Sequence, residues 1–126
     1  MIVLDASALL AFLFKETGHE VVAQYIENAC ISTVNLSEVA GRLIRDGVDP
    51  MPLIQQIELT SLSIIPFTQT HALYAANFIP QTQRYGLSLG DRACLGLAKA
   101  KQLAVLTADT VWSQLVDIEV IQIRMG

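Results

Sequence analysis

The stretch Ile2-Val3-Leu4-Asp5-Ala6-Ser7-Ala8-Leu9-Leu10-Ala11-Phe12-Leu13-Phe14 joins an apolar triplet, one acid and a long apolar run. The triplet has no polar face, which is the pattern of a short strand covered by helices on both sides. Ser7 is positioned to cap a helix through Ala8–Phe14. Strand, carboxylate and helix therefore follow one another directly, and the same unit recurs along the chain. Gly18 precedes a helical stretch over His19–Asn28, with Val21, Val22, Tyr25 and Ile26 at helical spacing. Cys30–Val34 reads as a second strand. Asn35 opens a helix whose stripe is Leu36, Val39, Ala40, Leu43 and Ile44, and Gly47 ends it.

Farther on, Asp49-Pro50 starts another helix as cap and first-turn proline. Leu62–Pro66 reads as a strand, and Thr68–Phe78 as a helix that stops before Pro80. A polar loop is expected over Gln81–Leu87. Ser88 caps a helix to Lys101, Leu103–Leu106 is a strand, Thr110–Leu115 a short helix and Glu119–Ile123 a last strand. Alternating strands and helices imply parallel pairing through right-handed crossovers. The expected architecture is a three-layer α/β/α sandwich around a short, mainly parallel sheet, in a single domain over residues 1–126. Sheets of this type hold ligands beyond the carboxyl ends of their strands.

Composition limits what such a domain can do. The chain has 126 residues, 52% of them hydrophobic, with 8 Lys+Arg against 12 Asp+Glu. A domain of this size buries enough surface to fold without disulfide or metal. The formal net charge of −4 excludes a generic basic coat for nucleic acid. Cys30 and Cys94 make no secreted disulfide framework, and the N-terminus has no basic segment before its apolar stretch, so a cytoplasmic location is expected. No apolar run is long enough to span a membrane.

Four acids take similar places relative to the strands. Asp5 ends the first, Glu38 lies early in the helix after the second, Asp109 follows Leu106, and Asp91 opens the helix leading into Leu103–Leu106. If the crossovers bring these strand ends together, the four carboxylates gather at one edge and need a cation or raised pKa values. Acids without His or Cys favour a hard ion, Mg²⁺ or Mn²⁺, and metal-assisted phosphodiester hydrolysis. Each acid also has an ordinary structural role available. Asp91 completes a capping box with Ser88, yet shares a helix side with Leu95 and Ala98, which favours function. Glu38 fits a capping box with Asn35 or an ion pair with Arg42, and on the residues alone those roles are favoured. For Asp5 a turn or cap weighs equally with a ligand role, and for Asp109 a helix cap is the commoner one.

Four segments, in order, resemble the PIN-domain family: Val3-Leu4-Asp5-Ala6-Ser7-Ala8-Leu9; Asn35-Leu36-Ser37-Glu38-Val39; Leu87-Ser88-Leu89-Gly90-Asp91-Arg92-Ala93-Cys94-Leu95 with Leu97-Ala98; and Leu106-Thr107-Ala108-Asp109 with Trp112. The third is similar to the toxin branch, the VapC-type ribonucleases. The resemblance implies a metal-dependent endoribonuclease of a toxin–antitoxin pair, cutting a specific RNA with a metal-activated water. Asp5, Glu38, Asp91 and Asp109 would be its catalytic and metal-binding acids, with Asp5 and Asp91 the principal Mg²⁺ or Mn²⁺ ligands. Ser7, Asn35 and Thr107 would orient carboxylates or water. Arg42, Arg84 and Arg92 are candidates for contacting RNA phosphate. His19 and His71 match no position of the family and are expected in surface or packing roles.

The resemblance further implies a homodimer and a cognate antitoxin, expected to pack on Ala8–Phe14 and Met51–Leu59. A phosphatase of the aspartyl-phosphate kind would want a second Asp where Ser7 stands. A non-catalytic PIN-like module that binds protein or RNA is the competing reading, and Asp5→Asn separates it from an enzyme.

Overall fold

A computed structural model describes residues 1–124. Among these, five strands form one wholly parallel sheet: β1 (Ile2–Leu4), β2 (Ala29–Ser32), β3 (Ser63–Ile65), β4 (Val105–Thr107) and β5 (Val120–Gln122), in the order β3-β2-β1-β4-β5. β1 is central. Leu4 pairs with Ile31 on one side and Leu106 on the other, so three strand ends lie side by side at the carboxyl edge.

Helices α1 (Ala6–Phe14), α2 (His19–Tyr25), α3 (Thr33–Arg45), α4 (Met51–Glu58), α5 (Gln69–Asn77), α6 (Ile79–Thr82) and α7 (Leu89–Lys101) complete the sandwich. Alternate residues of each strand face opposite layers. Ile2, Leu4, Ile31 and Leu106 pack with Leu9, Val22, Val39, Leu43 and Ile57 from α1–α4. Val3, Cys30 and Val105 pack with Phe78, Leu95, Leu97 and Trp112 on the other face. The expected three-layer α/β/α architecture is the one observed, and none of the helices is long and apolar enough to cross a membrane.

Several local readings change. Asp5, not Ser7, caps α1: its Oδ1 accepts from the Ala8 amide at 2.9 Å. α3 begins two residues before Asn35, because Ser32 at the end of β2 accepts from the Val34 amide. Asn35 is thereby carried into the first helical turn, where it is buried. Ile44, expected in the apolar stripe, is 62% exposed. Gln81–Leu87 is not a loop. Pro80 sits at the start of α6, where a missing amide costs nothing, and a 3₁₀ turn follows over Gln83–Tyr85.

Candidate functional site

Asp5 occupies the middle of the carboxyl edge because β1 is the middle strand. It is 4% exposed. Its Oδ1 accepts from the Ser7 hydroxyl at 2.7 Å as well as from the Ala8 amide, and its Oδ2 accepts from Thr107 Oγ1 at 2.6 Å. Ser7 Oγ in turn accepts from the Ala108 amide. Ser7 and Thr107, a hundred residues apart, thus lock the carboxylate between α1 and the end of β4. Burial pushes its pKa up to about 6 against these hydrogen bonds, and the nearby charge of Asp91 pushes in the same direction.

Asp91 lies in the first turn of α7 and Glu38 in the second turn of α3, two helices packed against each other. Asn35 Nδ2 donates to the Gly90 carbonyl at 2.9 Å and to Glu38 Oε1 at 2.8 Å. One amide therefore joins the two helix starts and aims Glu38 across the gap. The Glu38 carboxylate rests on the bare Cα of Gly90; a Cβ there would overlap both carboxylate oxygens. Much of the Glu38 residue is exposed, but its carboxylate end is partly withdrawn from water, and with Asp91 this raises its pKa against the Asn35 hydrogen bond. The expected pairing of Glu38 with Arg42 does not form. Arg42 turns to Asp46 at 3.0 Å, one turn onward.

Asp91 does form the expected capping box: its Oδ2 accepts from the Ser88 amide at 2.8 Å while Ser88 Oγ accepts from the Asp91 amide. The structural role leaves Oδ1 free. Beneath the acids lies the fully buried thiol of Cys94, whose pKa is raised by burial and then by Asp5, Asp91, Cys30 and Glu38. Both cysteines are free and buried.

Asp109 stands apart. It is exposed, and its Oδ1 accepts from the Val111 amide as the cap of the 3₁₀ turn Thr110–Gln114. Its own amide donates to Thr107 Oγ1, so its tie to Asp5 runs through that hydroxyl. Arg84 stacks on Tyr85, 4.8 Å from the ring centroid, and Arg92 reaches the Ala75 carbonyl. His71 is buried in the capping box of α5, and His19 lies beside Glu20 at 3.4 Å.

The donors suit a hard cation. All are carboxylate or amide oxygens, and among the described residues no Lys or Arg nitrogen lies within 4 Å of Asp5, Glu38 or Asp91. Asn35 Oδ1 is buried without a partner, as a site for water or a hydrated ion would leave it. Among the described residues no three Asp, Glu, His or Cys side chains stand close enough to hold an ion together.

The family model of the PIN domain matches residues 2–118. The chain belongs to the PIN-domain family. Among solved structures, this PIN domain is similar to a chain of a toxin–antitoxin complex from Klebsiella pneumoniae, with a TM-score of 0.76 and 17% identity over 100% of both chains. A chain of VapBC2 from Rickettsia felis, solved bound to a DNA fragment from its promoter, gives 0.76 and 17% over 97% of this chain and 98% of that one. VapC20 of Mycobacterium tuberculosis, a Sarcin-Ricin loop cleaving toxin, gives 0.70 and 14% over 94% and 99%. At these identities the likeness is one of fold. Comparison with curated proteins gives no match.

Proposed function

We propose that this PIN domain is a Mg²⁺- or Mn²⁺-dependent endoribonuclease and the toxin of a toxin–antitoxin pair. The observation that carries the reading is Asp5: a buried carboxylate at the centre of the sheet edge, with the charge of Asp91 acting on both it and Glu38 and, among the described residues, no Lys or Arg nitrogen within 4 Å of the three. Burying an uncompensated carboxylate is costly, and a bound cation removes that cost. The similar folds of toxin–antitoxin proteins support the toxin assignment.

In this reading Asp5 and Asp91 hold the ion directly, and Glu38 and Asp109 hold its waters or a second ion. When bound, the ion activates water and neutralises the phosphate being attacked. Ser7 and Thr107 keep Asp5 fixed through their hydroxyls. Asn35 keeps Glu38 turned inward, and Ser88 fixes one oxygen of Asp91, leaving the other for coordination. No protein nucleophile is required.

The antitoxin is proposed to seat an apolar segment in a groove of about 370 Å³ between α1 and α4, lined by Phe12, Leu13, Ile57 and Leu59 with Lys15 and His19 at its rim. Leu59 is 88% exposed there. A homodimer is proposed on the family resemblance, and sedimentation of the purified chain tests it.

The deciding experiment maps new 5′ ends in total RNA treated with the purified chain. Discrete ends should appear with Mg²⁺ or Mn²⁺ and vanish with EDTA or Asp5→Asn. If Asp5→Asn keeps the biological effect of the wild type, the non-catalytic binding module replaces this reading.

A further inference from the structure

Of the arginines singled out in the sequence, Arg42 pairs with Asp46, Arg84 stacks on Tyr85 and Arg92 reaches the Ala75 carbonyl, and none of them lines the groove that leads away from Glu38. A second groove, of about 420 Å³, runs from Glu38 along α3, with the start of α7 as its other wall. Its lining includes Thr33, Ser37, Glu38, Gly41, Arg45 and Leu89. On α3, Ser37, Gly41 and Arg45 follow at successive turns, one stripe leading away from the acids. Arg45 lies in the last turn and has no carboxylate within 4 Å among the described residues. Its guanidinium folds back over Gly41, with one nitrogen 3.7 Å from where a Cβ of that glycine would stand. The cation is thus drawn along the groove toward Glu38. Leu89, 60% exposed, offers an apolar wall opposite.

A cation and a hydroxyl on one wall and an apolar surface on the other are the complement of a single nucleic-acid strand, phosphates on one side and bases on the other. Seven residues of helix separate Glu38 from Arg45, about 10 Å of axial rise, too far for both to serve one phosphate. We propose that this groove is the track of a single RNA strand, with Arg45 binding a phosphate beside the one at the acids; the inference rests on the ribonuclease reading. Arg45 is then a binding residue, and its charge acts on affinity.

The test measures binding of a fluorescent 12-nucleotide RNA of mixed sequence by anisotropy, in Ca²⁺, across a series of salt concentrations. Arg45→Gln should weaken binding about fivefold at 0.1 M salt and reduce the salt slope by about 0.7, the value of one single-strand phosphate contact. Arg45→Lys should restore most of the slope. Gly41→Leu, which fills the groove and crowds the Arg45 guanidinium off it, should weaken binding at least as much as Arg45→Gln. Lys101→Gln, at the other end of α7, is the control for net charge and should change the slope little. Thermal melting checks that each variant folds. Under cleavage conditions Arg45→Gln should raise KM with little change in kcat. A wild type that binds RNA with the same slope as Arg45→Gln overturns the track alone. A wild type that binds no RNA in any divalent ion overturns the ribonuclease reading and the track together.

Discussion

At the scale of the residue, Asp5 carries two conflicting demands. It ends β1 and caps α1, which favours a fixed carboxylate, yet it is buried, which disfavours its charge. Because its folded pKa lies near 6, above the ordinary 3.8, its contribution to stability is fully present below about pH 3.8 and is lost as the pH rises through 6. In the metal-free protein Asp5→Asn keeps the cap and removes the charge, since Asn caps a helix as well as Asp does. It should therefore raise unfolding free energy at pH 7.5, by on the order of 2 to 3 kcal/mol, with the gain shrinking toward pH 4. Urea unfolding at the two pH values in EDTA measures this. An Asp5→Asn protein less stable than wild type at pH 7.5 would contradict it. Gly90 is the second residue of interest. Gly90→Ala puts a methyl group into the Glu38 carboxylate, which can swing to solvent at little cost. Melting temperature should hold within a few degrees while Mn²⁺ affinity, followed by titration calorimetry, falls severalfold.

The elements were legible where periodicity and burial agree. Strands apolar on both faces alternate with helices, and that pattern led to the parallel sandwich. Boundaries failed where one side chain serves two elements: Asp5 and Ser32 each close a strand and cap the next helix, so the caps expected at Ser7 and Asn35 fell too late. α5 does end before Pro80, as expected, but the same proline also opens α6, because its ring suits either side of a helix boundary. The acids could be picked out in sequence, and the family resemblance pointed to Ser7, Asn35 and Thr107 as their orienting groups. The pairings among them could not be read there, since Ser7 with Thr107 and Asn35 with Gly90 meet only through tertiary packing. The capping box at the start of α7 is testable as an element: Ser88→Ala should cost about 1 kcal/mol and lower the melting temperature by about 3–6 °C. A calorimetric scan showing no change would mean that Asp91 keeps the helix start without its partner.

For the molecule as a whole, charge and fold act together. The net charge of −4 repels RNA at long range, so in the proposed reading affinity rests on the ion and on local cations such as Arg45. A ligand that binds the folded state alone stabilises it, by about 2.7 kcal/mol at a hundred times its Kd. Saturating Mn²⁺ should accordingly raise the melting temperature of wild type and leave Asp91→Asn nearly unmoved. Equal shifts in both proteins would remove Asp91 from the site.

The central place of β1 has a further consequence. The first strand made is completed on one flank by β2 and on the other by β4, and Asp5 receives its Thr107 hydrogen bond only after that second flank is laid down. A polypeptide interrupted between Asp91 and Val105 already contains Asp5, Glu38 and Asp91, yet it lacks the strand that shields β1. Contacts spanning a hundred residues also close late and slowly during folding. In the ribonuclease reading, products that end between Asp91 and Val105 are therefore expected to be inert, with activity beginning only once the fourth strand has been synthesised and docked.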